Sequence, residues 1–477
     1  MSTEQPPAVV RRGTNLDRVG GFNDSVVLDA IRRADQLLSR VELAAATGLS
    51  GQAISNITRR LLDAGLVREA GRQKNAGLGK PRTLLELEPT GQYAVGVHLD
   101  PAVVTVVVLD LTGTIVARRR ADTETVATYA DPVPPSSGAD PAPRVATYAA
   151  SAPPPSGADP APLNATPAPK RAAEASPADD PDALINGIAA MVEQVITEAG
   201  APRARVVGVG IAAPGPIDVE RGAVVDPPNL TAWHRVPLRD ALRDRTGLPV
   251  LLDKDVTAAA SAEKWAGGPN GRGSFVFFYL GTGVGAGLVI NDEVVRGSSG
   301  NVGEIGHVIV DPDGPPCACG RRGCVGETSQ PRYLVQQAVD AGVIAQGIDL
   351  EDRHAVDRAF AALCATAAAD EPGAAREILT ALAARIAKVV EDIANLLDLE
   401  RVVFGGPHWD KLARFFADTV RETLGERFLL RSVHPFAVAG TALGADVGAV
   451  GAASLVLDHT FSPNPSVLLL GPVESAP

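Results

Sequence analysis

Three of the four cysteines in this 477-residue chain fall within eight residues, at Cys317, Cys319 and Cys324, and His307 precedes them. One imidazole and three thiolates are a ligand set that tetrahedral zinc takes, about 2.3 Å from sulfur and about 2.0 Å from nitrogen. A disulfide is the alternative, but it would leave one of the three thiols unpaired, and Cys317 and Cys319 are too close for an easy bridge. We therefore predict that the chain folds around a structural zinc ion held by four protein ligands.

The composition is that of a globular protein with aliphatic cores, since 45% of the residues are hydrophobic and 4% are aromatic. Two or three domains are expected at this length. We recognise neither a secretory leader nor an apolar stretch approaching the roughly 18–20 residues of a membrane span. Cysteines grouped as metal ligands suit a reducing compartment, so we expect a cytoplasmic protein.

Positive charge is concentrated near the N-terminus, although the whole chain carries a net charge of −12. Residues 1–88 hold 13 basic and 10 acidic residues, whereas the remainder holds 31 and 46. This asymmetry indicates a nucleic-acid-binding end on an acidic body, although a solvated helix face would explain it equally well.

Three short helices are predicted after a loose arm at residues 1–22. A capping box at residues 39–42 opens the second helix, and Gly48 ends it. Ser50 caps the third helix, and the tight connection at residues 48–50 is typical of a helix-turn-helix. The apolar positions of the first and third helices are Val27, Leu28, Ile31, Ile54, Ile57 and Leu61.

Two short strands follow the helices, at residues 66–69 and 83–87, and a basic polar tip joins them. The order predicts a winged helix-turn-helix that binds DNA over residues 23–90, and a small helical docking domain is the alternative. Side chains of the third helix would contact bases or phosphates, and those of the hairpin would contact the backbone or the minor groove. The predicted DNA-binding residues are Gln52, Ser55, Asn56, Arg59, Arg60, Lys80 and Arg82.

A segment rich in proline and alanine interrupts the chain at residues 122–181. The run Val-Ala-Thr-Tyr-Ala that starts at Val126 recurs at Val145, and the run Ser-Gly-Ala-Asp-Pro-Ala-Pro at Ser137 recurs at Ser156. Such a tandem duplication contains too much proline to bury a core, so we predict a disordered insertion without a functional site.

Strands and helices alternate on both sides of this insertion, which indicates an α/β domain large enough for two lobes. Its expected limits are residues 91–121 and 182–460, and a tail is expected at residues 461–477. A nearly continuous apolar stretch at residues 95–109 predicts two buried strands. The other predicted strands are 206–211, 250–252, 275–280, 287–290 and 401–404, and the predicted helices are 183–199, 374–397 and 441–457.

A glycine-rich run at residues 280–287 would expose backbone N–H groups to a phosphate, although a tight hairpin explains it equally well. The runs Arg296–Gly300 and Gly303–His307 follow it, and then the cysteine cluster. This ordered series resembles the ROK family of sugar kinases and sugar-responsive repressors over about residues 91–120 and 183–457. The winged helix ahead of it resembles the repressor branch.

The resemblance implies an actin-like, two-lobed sugar-kinase-type fold with sugar and nucleotide in the cleft. Asp255 then occupies the place of the general base that would deprotonate a sugar hydroxyl. The implied effector-binding residues are Lys254, Asp255, Glu304, His307 and Asn229. The implied nucleotide-binding residues are Gly281, Thr282, Gly283, Gly405 and Gly406.

The first phosphate loop departs from the family pattern Asp-x-Gly-Gly-Thr, since residues 98–102 are His-Leu-Asp-Pro-Ala. Proline removes a backbone donor, aspartate brings negative charge toward a polyphosphate, and the threonine hydroxyl is missing. Phosphoryl transfer needs preorganised donors and cations, so we predict that kinase activity is lost and the nucleotide site is vestigial. Lys254 replaces an expected asparagine, and it would either pair with Asp255 or favour an acidic or phosphorylated sugar.

The resulting prediction is a transcriptional regulator, most simply a repressor, with no enzymatic activity. It would bind double-stranded operator DNA as a homodimer or homotetramer, respond to a small sugar-like effector, and have no membrane partner. One alternative is an ATP-dependent sugar kinase with a DNA-binding appendage. Another is a regulator whose pocket is empty and which a protein partner controls.

Overall fold

The computed structural model describes residues 16–73, 81–129, 180–227, 233–281, 283–369 and 372–463. Within them the chain forms a mixed α/β structure, as predicted, with an N-terminal domain and two lobes that each contain a five-stranded sheet. No helix in these ranges is both long and apolar enough to cross a membrane. The predicted tail lies outside the described residues beyond residue 463.

The N-terminal domain has the helix and strand order of a winged helix-turn-helix, which confirms the prediction. Its elements are α1 (Leu16–Arg33), β1 (Leu38–Ser39), α2 (Arg40–Thr47), α3 (Gly51–Asp63), β2 (Val67–Gln73) and β3 (Arg82–Leu87). Strand β3 pairs antiparallel with both β1 and β2. The boundary of the predicted arm at residue 22 is wrong, because α1 already begins at Leu16 and a helix of 18 residues packs with its apolar stripe on the domain core.

Local capping explains where α2 and α3 begin and end. The Ser39 N–H donates to Glu42 Oε2 at 2.7 Å, which is one half of the predicted capping box. Gly48 ends α2 in the left-handed conformation, with φ of 71°, which a side chain with a Cβ disfavours. The Ser50 hydroxyl accepts from the Ala53 N–H at 3.2 Å and so starts α3.

The first lobe is built on the sheet order β10-β7-β4-β5-β6. Strands β4, β5 and β6 form an antiparallel meander, and β7 and β10 add parallel to β4. The strands are β4 (Tyr93–Leu99), β5 (Val103–Asp110), β6 (Ile115–Asp122), β7 (Val206–Ala213) and β10 (Val250–Lys254). A small hairpin, β8 (Ile217–Asp218) with β9 (Ala223–Val224), and the helices α4 (Thr123–Ala127), α5 (Pro181–Glu198) and α6 (Leu238–Thr246) complete the lobe.

The predicted start of the insertion at residue 122 is wrong. Strand β6 continues to Asp122, and α4 follows it directly, with Thr123 and Val126 buried. Helix α5 packs on α4 so closely that a Cβ on Gly187 would lie 1.9 Å from the Val126 carbonyl oxygen. The first copy of the repeated motif therefore begins inside the folded lobe. Residues 130–179 of the predicted insertion lie outside the described residues, and α5 already begins at Pro181.

The second lobe repeats this arrangement with the sheet order β13-β12-β11-β14-β15. The meander comprises β11 (Phe275–Leu280), β12 (Val284–Ile290) and β13 (Glu293–Val295), and the parallel strands are β14 (Arg401–Gly405) and β15 (Ala437–Gly440). Its helices are α8 (Val325–Thr328), α9 (Pro331–Asp340), α10 (Arg353–Ala369), α11 (Ala374–Leu397) and α12 (Trp409–Arg427).

Two helices lie between the lobes, α7 (Asp255–Ala266) and α13 (Val447–Phe461). Helix α13 packs on β4, β5 and β7 of the first sheet, α7 packs on β11 and β12 of the second, and the two helices pack on each other. A Cβ on Gly451 would lie 2.0 Å from the Ala258 carbonyl oxygen, so glycine allows this close contact. The prediction started α13 at residue 441, but a 3-10 turn at Gly444–Asp446 precedes the helix.

Candidate DNA-binding surface, effector cleft and metal site

The exposed side of α3 carries a continuous polar stripe. Ile54, Ile57 and Leu61 are buried in the domain core, which turns Gln52, Asn56 and Arg59 to the opposite side of the helix. Asn56 Oδ1 accepts from Arg59 Nη2 at 3.2 Å and from Gln52 Nε2 at 3.5 Å. Ser55 is exposed at the edge of the stripe, where its hydroxyl donates to the Gly51 carbonyl at 2.8 Å. The exposed side of α3 therefore has the polar side chains that a helix needs in order to contact DNA in the major groove.

Arg60, which was also predicted to bind DNA, forms an ion pair within the domain. Its guanidinium forms an ion pair with Asp24 of α1, 36 residues away in sequence. The pair ties α3 to α1. Since half of the Arg60 side chain remains exposed, the pair should stabilise the domain by about 1 kcal/mol at most.

The hairpin of β2 and β3 carries further exposed basic groups. Arg82 is exposed at the start of β3, 3.9 Å from Glu42 Oε1, and Arg72 is exposed near the end of β2. The sequence prediction omitted Arg72, because the position of the strand end was unknown. Lys80, the other predicted hairpin residue, lies outside the described residues.

A cavity of about 160 Å³ lies in the cleft between the lobes. The C-terminal end of β10 and the start of α7 place Lys254 and Asp255 in it, and the loop after β13 adds Glu304. Burial raises the pKa of the Asp255 carboxyl, while the charges of His98 and Lys254 act in the opposite direction. Three of the predicted effector-binding residues are therefore brought together.

Lys254 does not pair with Asp255, which corrects one of the two expectations for this lysine. Its Nζ lies 2.6 Å from Glu304 Oε1 and donates to the Val302 carbonyl at 3.1 Å. The Asp255 carboxylate instead accepts from the Val256 N–H at 2.7 Å, at the start of its own helix. The buried ammonium is thus already neutralised by the loop of the other lobe.

Residues 98–102, at which the sequence departs from the expected phosphate-loop pattern, include a tight turn between β4 and β5. Asp100 Oδ1 accepts from the Ala102 N–H at 2.9 Å and lies 3.4 Å from Arg353 Nη2 at the start of α10. This ion pair joins the two lobes. His98 and Tyr279 also line the cleft, and Tyr279 is one that the sequence analysis missed because it belongs to a fully buried strand.

The other residues that the resemblance implied for the cleft lie in different places. Gly406 lies against the Leu280 carbonyl, so the end of β14 meets the turn that contains Gly281 and Gly283. Gly405 packs on Phe277, and the glycine-rich run itself forms the hairpin of β11 and β12. His307 is exposed and is not among the described residues that line the cleft. Asn229 and Thr282 lie outside the described residues.

A second cavity, of about 380 Å³, lies on the other side of β10. Because side chains alternate along a strand, Asp253 faces it while Lys254 faces the cleft. Two ion pairs line it, Asp253 with Arg296 at 2.8 Å and Lys264 with Asp458 at 2.9 Å. Although this cavity is larger, the candidate effector site remains the cleft, which holds Asp255 and Glu304.

The histidine and the three clustered cysteines converge on one point. His307 Nδ1 lies 3.5 Å from Cys317 Sγ, Cys319 Sγ lies 3.6 Å from Cys324 Sγ, and all four ligand atoms lie within 4.8 Å of one another. A tetrahedral zinc ion would place two sulfurs about 3.8 Å apart and nitrogen and sulfur about 3.5 Å apart. The donors therefore fit the predicted metal. The sulfur separation is much too long for a disulfide, whose bond is about 2.0 Å.

Short-range backbone contacts build this site. The Gly320 N–H donates to the Cys317 carbonyl at 3.0 Å, and the Cys317 N–H donates to the Arg321 carbonyl at 2.8 Å, which curls the segment into a tight turn. Cys324 is buried at the start of α8, and an isolated β-bridge pairs it with Ile309 across the loop. Only two residues lie between Glu304 and His307, so the loop that reaches Lys254 ends at the candidate metal site.

Two family models match the chain. Residues 168–459, more than half of the chain, match the ROK family, and residues 22–74 match the MarR family. The second match covers most of the winged helix-turn-helix domain.

The individual proteins and solved structures that the chain resembles include repressors and a sugar kinase. The xylose repressor of Caldicellulosiruptor bescii is 22% identical over 90% of this chain and 94% of its own length. The glucokinase of Thermotoga maritima is 32% identical over 53% of this chain and 79% of its own length. A crystal structure of a ROK family transcriptional regulator, a homologue of the E. coli Mlc protein, superimposes with a TM-score of 0.67 at 21% identity, over 93% of this chain and 97% of that one.

Proposed function

Because the chain belongs to the ROK family, we propose that it is a transcriptional repressor that binds operator DNA and responds to a sugar in the interlobe cleft. The observation that carries this proposal is the winged helix-turn-helix with its exposed polar stripe on α3, joined to the two sugar-kinase-like lobes. The similarity to a xylose repressor extends over both parts, whereas the similarity to a glucokinase covers about half of the chain.

The effector proposed for the cleft is a neutral monosaccharide. Asp255, Glu304 and Asp100 bring three carboxyl groups to the cavity, and the one lysine there is already paired with Glu304. An acidic or phosphorylated sugar would meet more negative than positive charge, whereas sugar hydroxyls can donate to these carboxylates. The small cavity also suits a single sugar ring, since pockets for larger organic ligands measure roughly 300–1,000 Å³.

The metal proposed for the Cys₃His site is zinc in a structural role. All four ligands come from His307 and the three cysteines, so the zinc keeps no open position for water or substrate. It would hold the loop that presents Glu304 to Lys254. The expected assembly as a homodimer or homotetramer, and the cytoplasmic location, stay predictions.

Selection of bound genomic fragments by the purified full chain tests the proposal. We expect a small set of fragments with inverted half-sites, released by D-xylose, D-glucose or another neutral monosaccharide. The releasing sugar should also raise the melting temperature, since a ligand that binds only the native state at 100 times its Kd stabilises it by about 2.7 kcal/mol. Glucose 6-phosphate and gluconate serve as charged controls. Binding of these alone would contradict the neutral-sugar assignment, and no enrichment of fragments would contradict the repressor.

Loss of kinase activity has its own test. Purified protein with ATP, magnesium and a panel of pentoses, hexoses and amino-sugars should form no ADP above the rate without sugar, because Pro101 offers no N–H and Asp100 is paired with Arg353 where a phosphate would lie. The glucokinase of Thermotoga maritima serves as the positive control. Sugar-dependent turnover would favour the alternative of a kinase with a DNA-binding appendage.

A further inference from the structure

Helix α7 connects the cleft to the DNA-binding domain. Its first residue, Asp255, lines the cleft, and Trp265 lies near its other end, next to α1. The helix has 12 residues and is therefore about 18 Å long. Its side chains from Val256 to Ala262 are buried between the lobes, so it is packed as one stiff element.

Arg32 of α1 contacts the C-terminal end of α7. Its guanidinium lies over the Trp265 ring, 4.2 Å from the ring centre, and its Nη1 donates to the Trp265 carbonyl at 2.8 Å. Asp29 fixes the same guanidinium through Nη2 at 2.6 Å, and only 8% of the Arg32 side chain is exposed. The contact combines a cation–π interaction with the attraction between a cation and the carbonyl end of a helix. Both interactions favour one orientation of α1 relative to α7.

The DNA-binding domain is attached to the first lobe as well. The Arg205 Nη1 donates to the Thr90 carbonyl at 2.9 Å, and the Leu111 N–H donates to the Pro89 carbonyl at 3.1 Å, just after β3. The domain thus spans both lobes, with α1 on α7 and the end of its hairpin on the first lobe. A change in the angle between the lobes must shift one attachment relative to the other.

We infer that Arg32 is a positioning residue that, through Trp265 and α7, makes the orientation of the DNA-binding domain depend on the state of the cleft. The inference rests on the proposed repressor function. At the cleft end, the pair between Lys254 and Glu304 lies beside Asp255, where α7 begins. A ligand whose hydroxyl groups donate hydrogen bonds to Glu304 changes the contacts at this end, and α7 carries the change to Arg32.

A double-mutant cycle tests this coupling without a known effector. Operator affinity is measured by fluorescence anisotropy for the full chain, Glu304→Gln, Arg32→Gln and the double variant, with a fragment selected from the genome. Glu304→Gln should change the Kd at least threefold in the parent chain and leave it unchanged in the Arg32→Gln background. Distant residues without shared partners normally act additively, so this non-additivity reports the coupling.

Arg272→Ala is the matched control, because Arg272 also holds α1, through Asp35 and the Arg33 carbonyl, but does so from the segment that follows α7 and not through Trp265. Its cycle with Glu304→Gln should be additive. The inference is overturned if Glu304→Gln has no effect in the parent chain, or has the same effect in the Arg32→Gln background.

Should Arg32→Gln melt at a much lower temperature, Trp265→Phe replaces it, and full additivity there overturns the inference too. A parent chain that binds no operator contradicts the repressor function instead.

Discussion

Replacing Cys319 by serine should lower the zinc content of the purified protein from about one ion per chain to almost none. Serine cannot supply the thiolate, and three remaining ligands no longer complete the tetrahedron that His307, Cys317 and Cys324 begin. Because the free energy of binding a structural zinc ion is part of the free energy of folding, the melting temperature should fall by on the order of 5–10 °C. Metal analysis together with calorimetry measures both effects.

Cys364→Ala is the control for this experiment. Cys364 is buried in α10, away from the cluster, and burial raises the pKa of its thiol to about 11. This variant should keep its zinc while losing some packing energy. Equal zinc content in the Cys319→Ser variant and the parent chain would show that the cluster is not the metal site. Loss of the metal should also weaken the response to sugar, because the loop between Glu304 and His307 loses its anchor.

Replacing Arg59 by alanine should weaken operator binding about fivefold or more, since a side chain in the major groove contributes about 1–3 kcal/mol. Arg59 is exposed in the middle of the polar stripe of α3, where Asn56 orients its guanidinium at 3.2 Å. Binding titrations at several salt concentrations identify the kind of contact. A phosphate contact lowers the slope of log K against log salt by about one, whereas a base contact relaxes the preference at one position of the operator.

Two arginines on the same domain provide controls of equal charge. Arg60 pairs with Asp24 of α1, and Arg68 pairs with Glu86 across the hairpin at 2.7 Å. Arg60→Ala and Arg68→Ala should each change operator affinity less than about threefold. An unchanged affinity in the Arg59→Ala variant, or a larger loss in the Arg60→Ala variant, would contradict the orientation of α3 described above.

Much of the fold was predictable because its signals are local. Gly48 ends α2 because glycine adopts the left-handed conformation, and Ser50 starts α3 because its hydroxyl caps the helix. The limits of β11 and α11 agree with the predicted ones. The exceptions occur where tertiary contacts extend an element beyond its sequence signal. Val126 is buried against α5, so α4 forms in a segment whose composition favours disorder.

The sequence by itself indicated the family, the order of domains and the candidate metal site of one histidine and three cysteines, because each of these depends on residue types at short spacing along the chain. Only the tertiary structure decided which charges meet. Lys254 pairs with Glu304 and not with the adjacent Asp255, and Asp100 pairs with Arg353 at a separation of 253 residues. Arg32 meets Trp265 across 233 residues. Ion pairs follow from proximity in space and burial, and the path of the chain between the lobes sets both.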